Sequence, residues 1–148
     1  PADSACLPMN NISWSDCQEF INELCNLTSL HFSLPTEVQW EYAAKGAGAH
    51  TGEIPGNGTL DSVAWHKRNS YGKPHSTTES KSPNALNLYN MLGNVEEWCE
   101  DSQGTRKRSV RGGSHQTPPA DMTITYRDSA DKDAKSERRG MRLLLHLP

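Results

Sequence analysis

Residues 34–44 read LPTEVQWEYAA and residues 88–101 read LYNMLGNVEEWCED, and the fold turns on how these two stretches are taken. In the first, Pro35 and Thr36 followed by Gln39 mark a helix start. A Thr side chain accepts from an otherwise orphan amide, and a Gln three residues on reaches back to the cap. Val38, Trp40, Tyr42, Ala43 and Ala44 supply the bulk of a short helix that Gly46 ends. Upstream, Ser13 and Asp16 repeat the box and open a longer helix over about Trp14 to Leu27. Its apolar stripe takes in Trp14, Cys17, Phe20, Ile21, Leu24 and Cys25. The second stretch opens with a strand signal over Leu88–Met91 and turns at Gly93. Later strand signals are short: Ser109–Arg111, Met122–Arg127 and Met141–Leu147. Between Gly46 and about Asn87 the chain is rich in Gly, Pro, Ser, Thr and Asn, with one apolar island at Val63, Ala64 and Trp65. So long an irregular stretch in a compact domain marks functional loops or disorder. The pattern is α+β with long loops, and no repeat of solenoid period is present.

Composition sets the outer bounds. The chain has 148 residues, which fits a single domain over 1–148. The apolar share is 34% and no apolar stretch approaches the roughly 18 to 20 residues of a membrane-spanning helix, so such a span is excluded. With 15 Lys and Arg against 18 Asp and Glu, the net charge of −3 gives no general pull toward nucleic acid. Arg106, Lys107, Arg108 and Arg111 form one basic segment, read as a solvated strand edge or loop. Cys6, Cys17, Cys25 and Cys99 match neither a metal clip nor a dense disulfide framework, and Cys17 and Cys25 read as buried thiols. The chain opens at Pro1 without an initiator Met or a leader pattern, as a mature form or a piece of something longer would.

Taken in order, NISWSD (11–16), LPTEVQWEYAA (34–44), LYNMLGNVEEWCED (88–101) and VRGGS (110–114) resemble the formylglycine-generating enzyme, or sulfatase-modifying factor, family. Arg127 and then GMRL (140–143), with Met in place of the family's Phe, extend the likeness over about Pro8 to Leu145. The resemblance implies a C-type-lectin-like fold: two helices, small twisted antiparallel sheets and long ordered loops. Gly93, Gly112 and Gly113 then serve turns or close backbone approach, and Trp40, Tyr42 and Trp98 anchor the loops. Glu37, Glu41, Asn94, Glu97 and Arg142 are expected as structural ties.

The resemblance also supplies a catalytic test. Active members are similar to copper-dependent oxidases in which two cysteines after Arg-Gly-Gly-Ser bind the metal and engage a substrate thiol; soft thiolates suit Cu(I). Here that stretch is HQTPPADMTITYR (115–127). It has no cysteine, and none follows Cys99. The oxidase chemistry is expected to be absent. His115 and Met122 are its soft donors, and the six histidines at 31, 50, 66, 75, 115 and 146 show no HxxxH-like pairing for the iron of a related branch. A copper- or iron-dependent oxidase with unusual ligands is the alternative. Calcium is a further implied cofactor, held by carbonyls near Gly93 and Val95 and by the Glu97 carboxylate. Glu96 stands where a Trp is common, and a purely hydrogen-bonded Glu97 is the competing reading.

The same entry and exit strands also resemble the variable proteins of diversity-generating retroelements. That implies a non-catalytic binding or display module whose face over 115–128 comprises His115, Gln116, Thr117, Pro118, Pro119, Asp121, Thr123, Thr125 and Asp128. Strand alternation would turn Ile124 and Tyr126 inward. The expected partner is a protein or glycan, although the sugar-binding triplets of true C-type lectins are missing; a surface or secreted location fits the family. Family domains carry a further segment before the first helix. The closing strand near Arg142–Leu147 is therefore expected to lack a partner or to find it in another element or another chain, leaving an edge open to self-association.

Overall fold

The computed structural model describes residues 6–78 and 81–148. Helix α1 spans Trp14–Thr28 and strand β1 His31–Ser33; α2 spans Glu37–Ala44 and the single turn α3 Leu60–Val63. Strands β2 (Glu96–Gln103), β3 (Lys107–Arg111), β4 (Arg127–Asp131), β5 (Arg139–Gly140) and β6 (Leu144–His146) complete the chain. This is the α+β, C-type-lectin-like architecture that the resemblance implied.

Both helices start where their side chains dictate. Ser13 Oγ accepts from the Asp16 amide at 3.0 Å while Asp16 accepts from the Ser13 amide at 2.8 Å, and Thr36 and Gln39 do the same for α2 at 3.2 and 2.9 Å. Cys17 and Ile21 are buried, but Phe20 is 47% exposed because it sits at the margin of the stripe. On α2 the inward face is Glu37, Trp40 and Ala44. Val38 and Tyr42 point the other way, 75% and 60% exposed, so Tyr42 anchors nothing.

Four strands form one sheet in the order β4-β3-β2-β5, antiparallel except for the parallel β2–β5 pair. Neighbouring residues of β2 feed opposite sides. Cys99 packs with Trp40, Ala44, Val63, Ala64, Met91, Leu92, Met122 and Ile124, whereas Trp98 packs with Cys17, Ile21, Leu34 and Val110. One strand thus joins two cores.

Three strand expectations need correction. Leu88–Met91 is loop, not strand: Asn84 Oδ1 takes the amides of Leu86 and Leu88 and its Nδ2 caps the Ala43 and Ala44 carbonyls, winding this segment around the end of α2. Residues 122–126 are turn, and the strand begins only at Arg127, opposite Arg111. The closing strand is shorter than read, confined to Leu144–His146; its partner is another element, β1, one of the expected outcomes, in a separate two-stranded antiparallel sheet. No helix among the described residues is long and apolar enough to cross a membrane.

Candidate functional site

The segment from Arg111 to Asp128 leaves β3, makes an irregular excursion and returns as β4. Arg111 sets its depth. Its side chain is wholly buried, stacked 5.0 Å from the Trp40 ring. Its Nη2 donates to Glu41 Oε2 at 2.8 Å and to the Ile124 carbonyl at 2.7 Å, and Nη1 donates to Glu37 Oε1 at 3.3 Å. Glu37 in turn accepts from Ser109 Oγ, while its own amide donates to Asp101. Hydrogen bonds from Lys45 and then Arg111 hold the Glu41 carboxyl below its ordinary range.

Asn94 sets the entrance. Its amide donates to the Trp65 carbonyl at 2.8 Å, and its side chain both accepts from the His75 amide and donates to the His75 carbonyl. Its carbonyl accepts from the His115 amide and ring Nδ1, each at 2.8 Å. Beside it, an added Cβ on Gly93, at φ 75°, would collide with the Trp65 carbonyl. Expected as ties, Glu37, Glu41, Asn94, Glu97 and Arg142 all serve as ties.

The proposed display residues separate into two groups. Gln116, Pro118, Asp121, Thr125 and Asp128 are exposed, and Thr117, Pro119 and Thr123 are half-buried. His115 is 1% exposed and is corrected from the face to the interior: its ring and its amide both fold onto Asn94. Ile124 is buried as expected, but in a turn, by the Arg111 bond to its carbonyl and a 2.8 Å bond from its amide to the Glu53 carbonyl. Tyr126 is half-buried, with its phenol pushed up by burial and by nearby Asp128 and Asp121.

Other contributors lie in the long loops that looked irregular in sequence. Glu53 accepts from Thr125 Oγ1 at 2.5 Å. Ser70 Oγ donates to the His115 carbonyl at 2.7 Å, and the Lys67 amide to the Thr117 carbonyl at 3.1 Å. Lys67, Gly72, His115 and Gln116 line a hollow of about 450 Å³. Near it Tyr71 is 87% exposed at φ 57°. An aromatic beside a glycine in a polar loop was the signal available for this neighbourhood.

Glu97, His115 and Met122, the donors expected for metals, each have partners inside the protein. Glu97 Oε2 accepts from Trp40 Nε1 at 2.8 Å, and Arg142 Nη2 donates to Glu97 Oε1 at 2.9 Å. Arg142 Nε lies 3.1 and 3.2 Å from the two carboxylate oxygens, and Nη2 also reaches the Tyr89 carbonyl at 3.0 Å. Arginine therefore already neutralises this carboxylate from inside the protein, while the buried Asn90 Oδ1, which has no hydrogen-bond partner, lines the same pocket as Gly93, Val95 and Glu97. Glu96 pairs with Arg139 at 2.8 Å, which lies over the Trp98 ring, so it has its own internal partner. Copper does not fit the 115–127 stretch. The His115 ring is committed to Asn94, Met122 is packed in the core, and the Cys99 thiol is wholly buried and pushed up by desolvation. Among the described residues no group of three or more His, Cys, Asp or Glu is placed to hold an ion.

Arg111 and Asn94 thus hold a loop-borne face on a C-type-lectin-like frame, beside which no cysteine lies in sequence. The chain belongs to the sulfatase-modifying factor enzyme 1-like domain family, whose model matches residues 2–147. It is 30% identical over 167 residues to the formylglycine-generating enzyme of Streptomyces coelicolor, covering 91% of this chain and 51% of that protein. It is 28% identical over 159 residues to chaperone protein LppX of Paenibacillus barcinonensis, covering 91% and 54%. The chain spans about half the length of each of these two relatives. Among solved structures, Treponema denticola variable protein 1 superposes with a TM-score of 0.87 at 25% identity, covering 97% of this chain and 73% of that one. PvdO from Pseudomonas aeruginosa gives a TM-score of 0.83 at 21% identity over 96% and 63%, a likeness of fold.

Proposed function

We propose that this domain is a non-catalytic display module that binds a protein or glycan through the outer side of residues 115–128, and that this face is a target of retroelement diversification. The observation that carries the reading is the division of labour in the loop. Its main chain is tied down by Arg111, Asn94, Glu53 and Ser70, while the side chains of Gln116, Pro118, Asp121, Thr125 and Asp128 stand outside. Exposed substitutions of this kind usually shift stability within about 0.5 kcal/mol each. The likeness to a variable protein supports the reading, and the cysteine-free stretch from 115 to 127 speaks against thiol oxidation there.

The test is a surface-displayed library randomised at those five positions, beside a second library randomised at Arg111, Ser114 and His115. Most clones of the first should retain cooperative melting and yield specific binders when selected on a panel of proteins and glycans; most of the second should not fold. Equal loss of folding in both libraries, or copper-dependent oxidation of a cysteine peptide by the parent chain, would overturn the proposal. For diversification, the expected finding is a reverse transcriptase beside the coding region, with a near-copy of its final stretch differing at adenines.

A further inference from the structure

The sheet formed by β1 and β6 lies apart from that face. Its antiparallel register sets His31 opposite His146, Phe32 opposite Leu145 and Ser33 opposite Leu144. Residues directly opposite project to the same side, with Cβ atoms about 4.5 to 5.5 Å apart. The two imidazoles therefore leave one face together, and their rings stack with centroids 4.3 Å apart and planes 20° from parallel. Both residues are exposed. Ser33, two residues along β1 on the same face, brings its hydroxyl within 2.9 Å of His146 Nε2.

Paired imidazoles on a fixed backbone form a chelate. From these positions we infer that His31 and His146 make a binding site for a divalent ion of the borderline class, Zn²⁺, Ni²⁺ or Cu²⁺, with water completing the coordination. Imidazole nitrogen suits these ions and not Ca²⁺ or Mg²⁺, which take oxygen. A metal about 2.0 to 2.1 Å from each nitrogen requires the two nitrogens roughly 3 to 3.4 Å apart. With the ring centroids 4.3 Å apart on paired strands, side-chain rotation is the adjustment that the proposal asks of the pair. In the tautomer protonated at Nε2, His146 donates to Ser33 Oγ and keeps its Nδ1 lone pair for the ion, an outer hydrogen bond of the kind that fixes a ligating imidazole. Because β1 follows α1, the ion clamps β6 to the helical side of the domain.

The experiment uses the whole chain with Ni²⁺ or Zn²⁺ in a buffer without chelators, followed by calorimetry and thermal melting. One ion per chain is expected. At a free ion concentration a hundredfold above the dissociation constant, the folded-to-unfolded ratio rises about a hundredfold. For a chain of this size that is a melting rise of several degrees. H31A and H146A should each abolish both effects, H50A should leave them intact, and Ca²⁺ and Mg²⁺ should produce neither. Substoichiometric Cu²⁺ should broaden the ring C–H resonances of His31 and His146 ahead of the other four histidines, a readout that needs no variant. No melting shift in the parent, an unchanged shift in the doubly substituted chain, or broadening that begins at other histidines would overturn the assignment.

Discussion

Arg111→Ala removes the side chain on which the loop and α2 both depend. Arg111 is wholly buried and its partner Glu37 is 8% exposed. The change leaves the Ile124 carbonyl without its 2.7 Å donor and deprives Glu37 of its nearest cation. Leaving one buried acceptor unpaired costs about 1 to 3 kcal/mol, and removing one partner of a buried ion pair about 3 to 5. Two contacts reduce the damage. Arg127 Nε lies 3.5 Å from Glu37 Oε1, and Lys45 remains 2.7 Å from Glu41, which is 24% exposed and screened by water. A net loss of about 3 to 4 kcal/mol is expected. The assay is a double-mutant cycle by urea unfolding with Arg111→Ala, Glu37→Gln and the pair. Coupling should exceed about 1 kcal/mol, since the two groups share one network. Amide exchange of Ile124, whose own donor bond to Glu53 persists, should quicken without reaching the rate of an unfolded chain. A loss below 1 kcal/mol, or additive effects, would refute the idea that this arginine sets the loop.

Three further outcomes follow from local chemistry. Asp16 is lowered from 3.8 to about 2, first by Lys135 and then by the Ser13 amide; a carboxyl depressed in the fold adds stability that is present above its unfolded value and lost as pH falls through the folded one. The parent should therefore lose stability between about pH 4 and 2 relative to Asp16→Asn, and parallel urea midpoints across that window would count against the cap. Burial pushes the Cys17 thiol up to about 12 and the Cys99 thiol up as well, so a thiol reagent at pH 8 should titrate at most two of the four cysteines in the native chain and all four in denaturant; a third native equivalent would contradict the packing. Gly93→Ala combines a φ of 75° with a collision at the Trp65 carbonyl, and should cost at least about 2 kcal/mol by chemical denaturation; a neutral result would place that contact elsewhere.

The parts of the fold legible in sequence are those fixed within a few residues. Ser13 with Asp16 and Thr36 with Gln39 settle two helix starts because donor and acceptor lie three positions apart. The strand boundaries were not legible for the opposite reason. No strand signal marks Glu96 and Glu97, yet they begin β2 because Arg139 and Arg142, 43 and 45 residues later, neutralise them. Segment 122–126 has a strand's composition, but its main chain is spoken for by Arg111 and Glu53. His115 looked like a surface residue in a polar loop, and nothing within the loop announces that Asn94, 21 residues earlier, draws its ring inside. At the candidate site, sequence pointed to Asn94 among the ties but missed Arg111, read as part of a solvated basic run, and gave no sign of Glu53 or Ser70.

That asymmetry bears on function. Most ties on the excursion engage main-chain atoms: the carbonyls of His115, Thr117 and Ile124, and the amides of His115 and Ile124. A main-chain acceptor is the same whatever side chain it carries, so identity at the exposed positions is decoupled from the contacts that fix the path. Gln116 Nε2 donates to Glu137 Oε1 at 3.1 Å, but the shortest such side-chain tie is that of Thr125, whose hydroxyl reaches Glu53 at 2.5 Å. Its replacement by Ala should cost more than the same change at Gln116 or Asp121, though its amide bond to Glu53 remains. Five exposed changes at about 0.5 kcal/mol each approach 2.5 kcal/mol only if all act in the same direction. One change at Arg111 exceeds that. A frame with this ratio can vary its outer face widely before it unfolds, the physical condition that a display surface must meet.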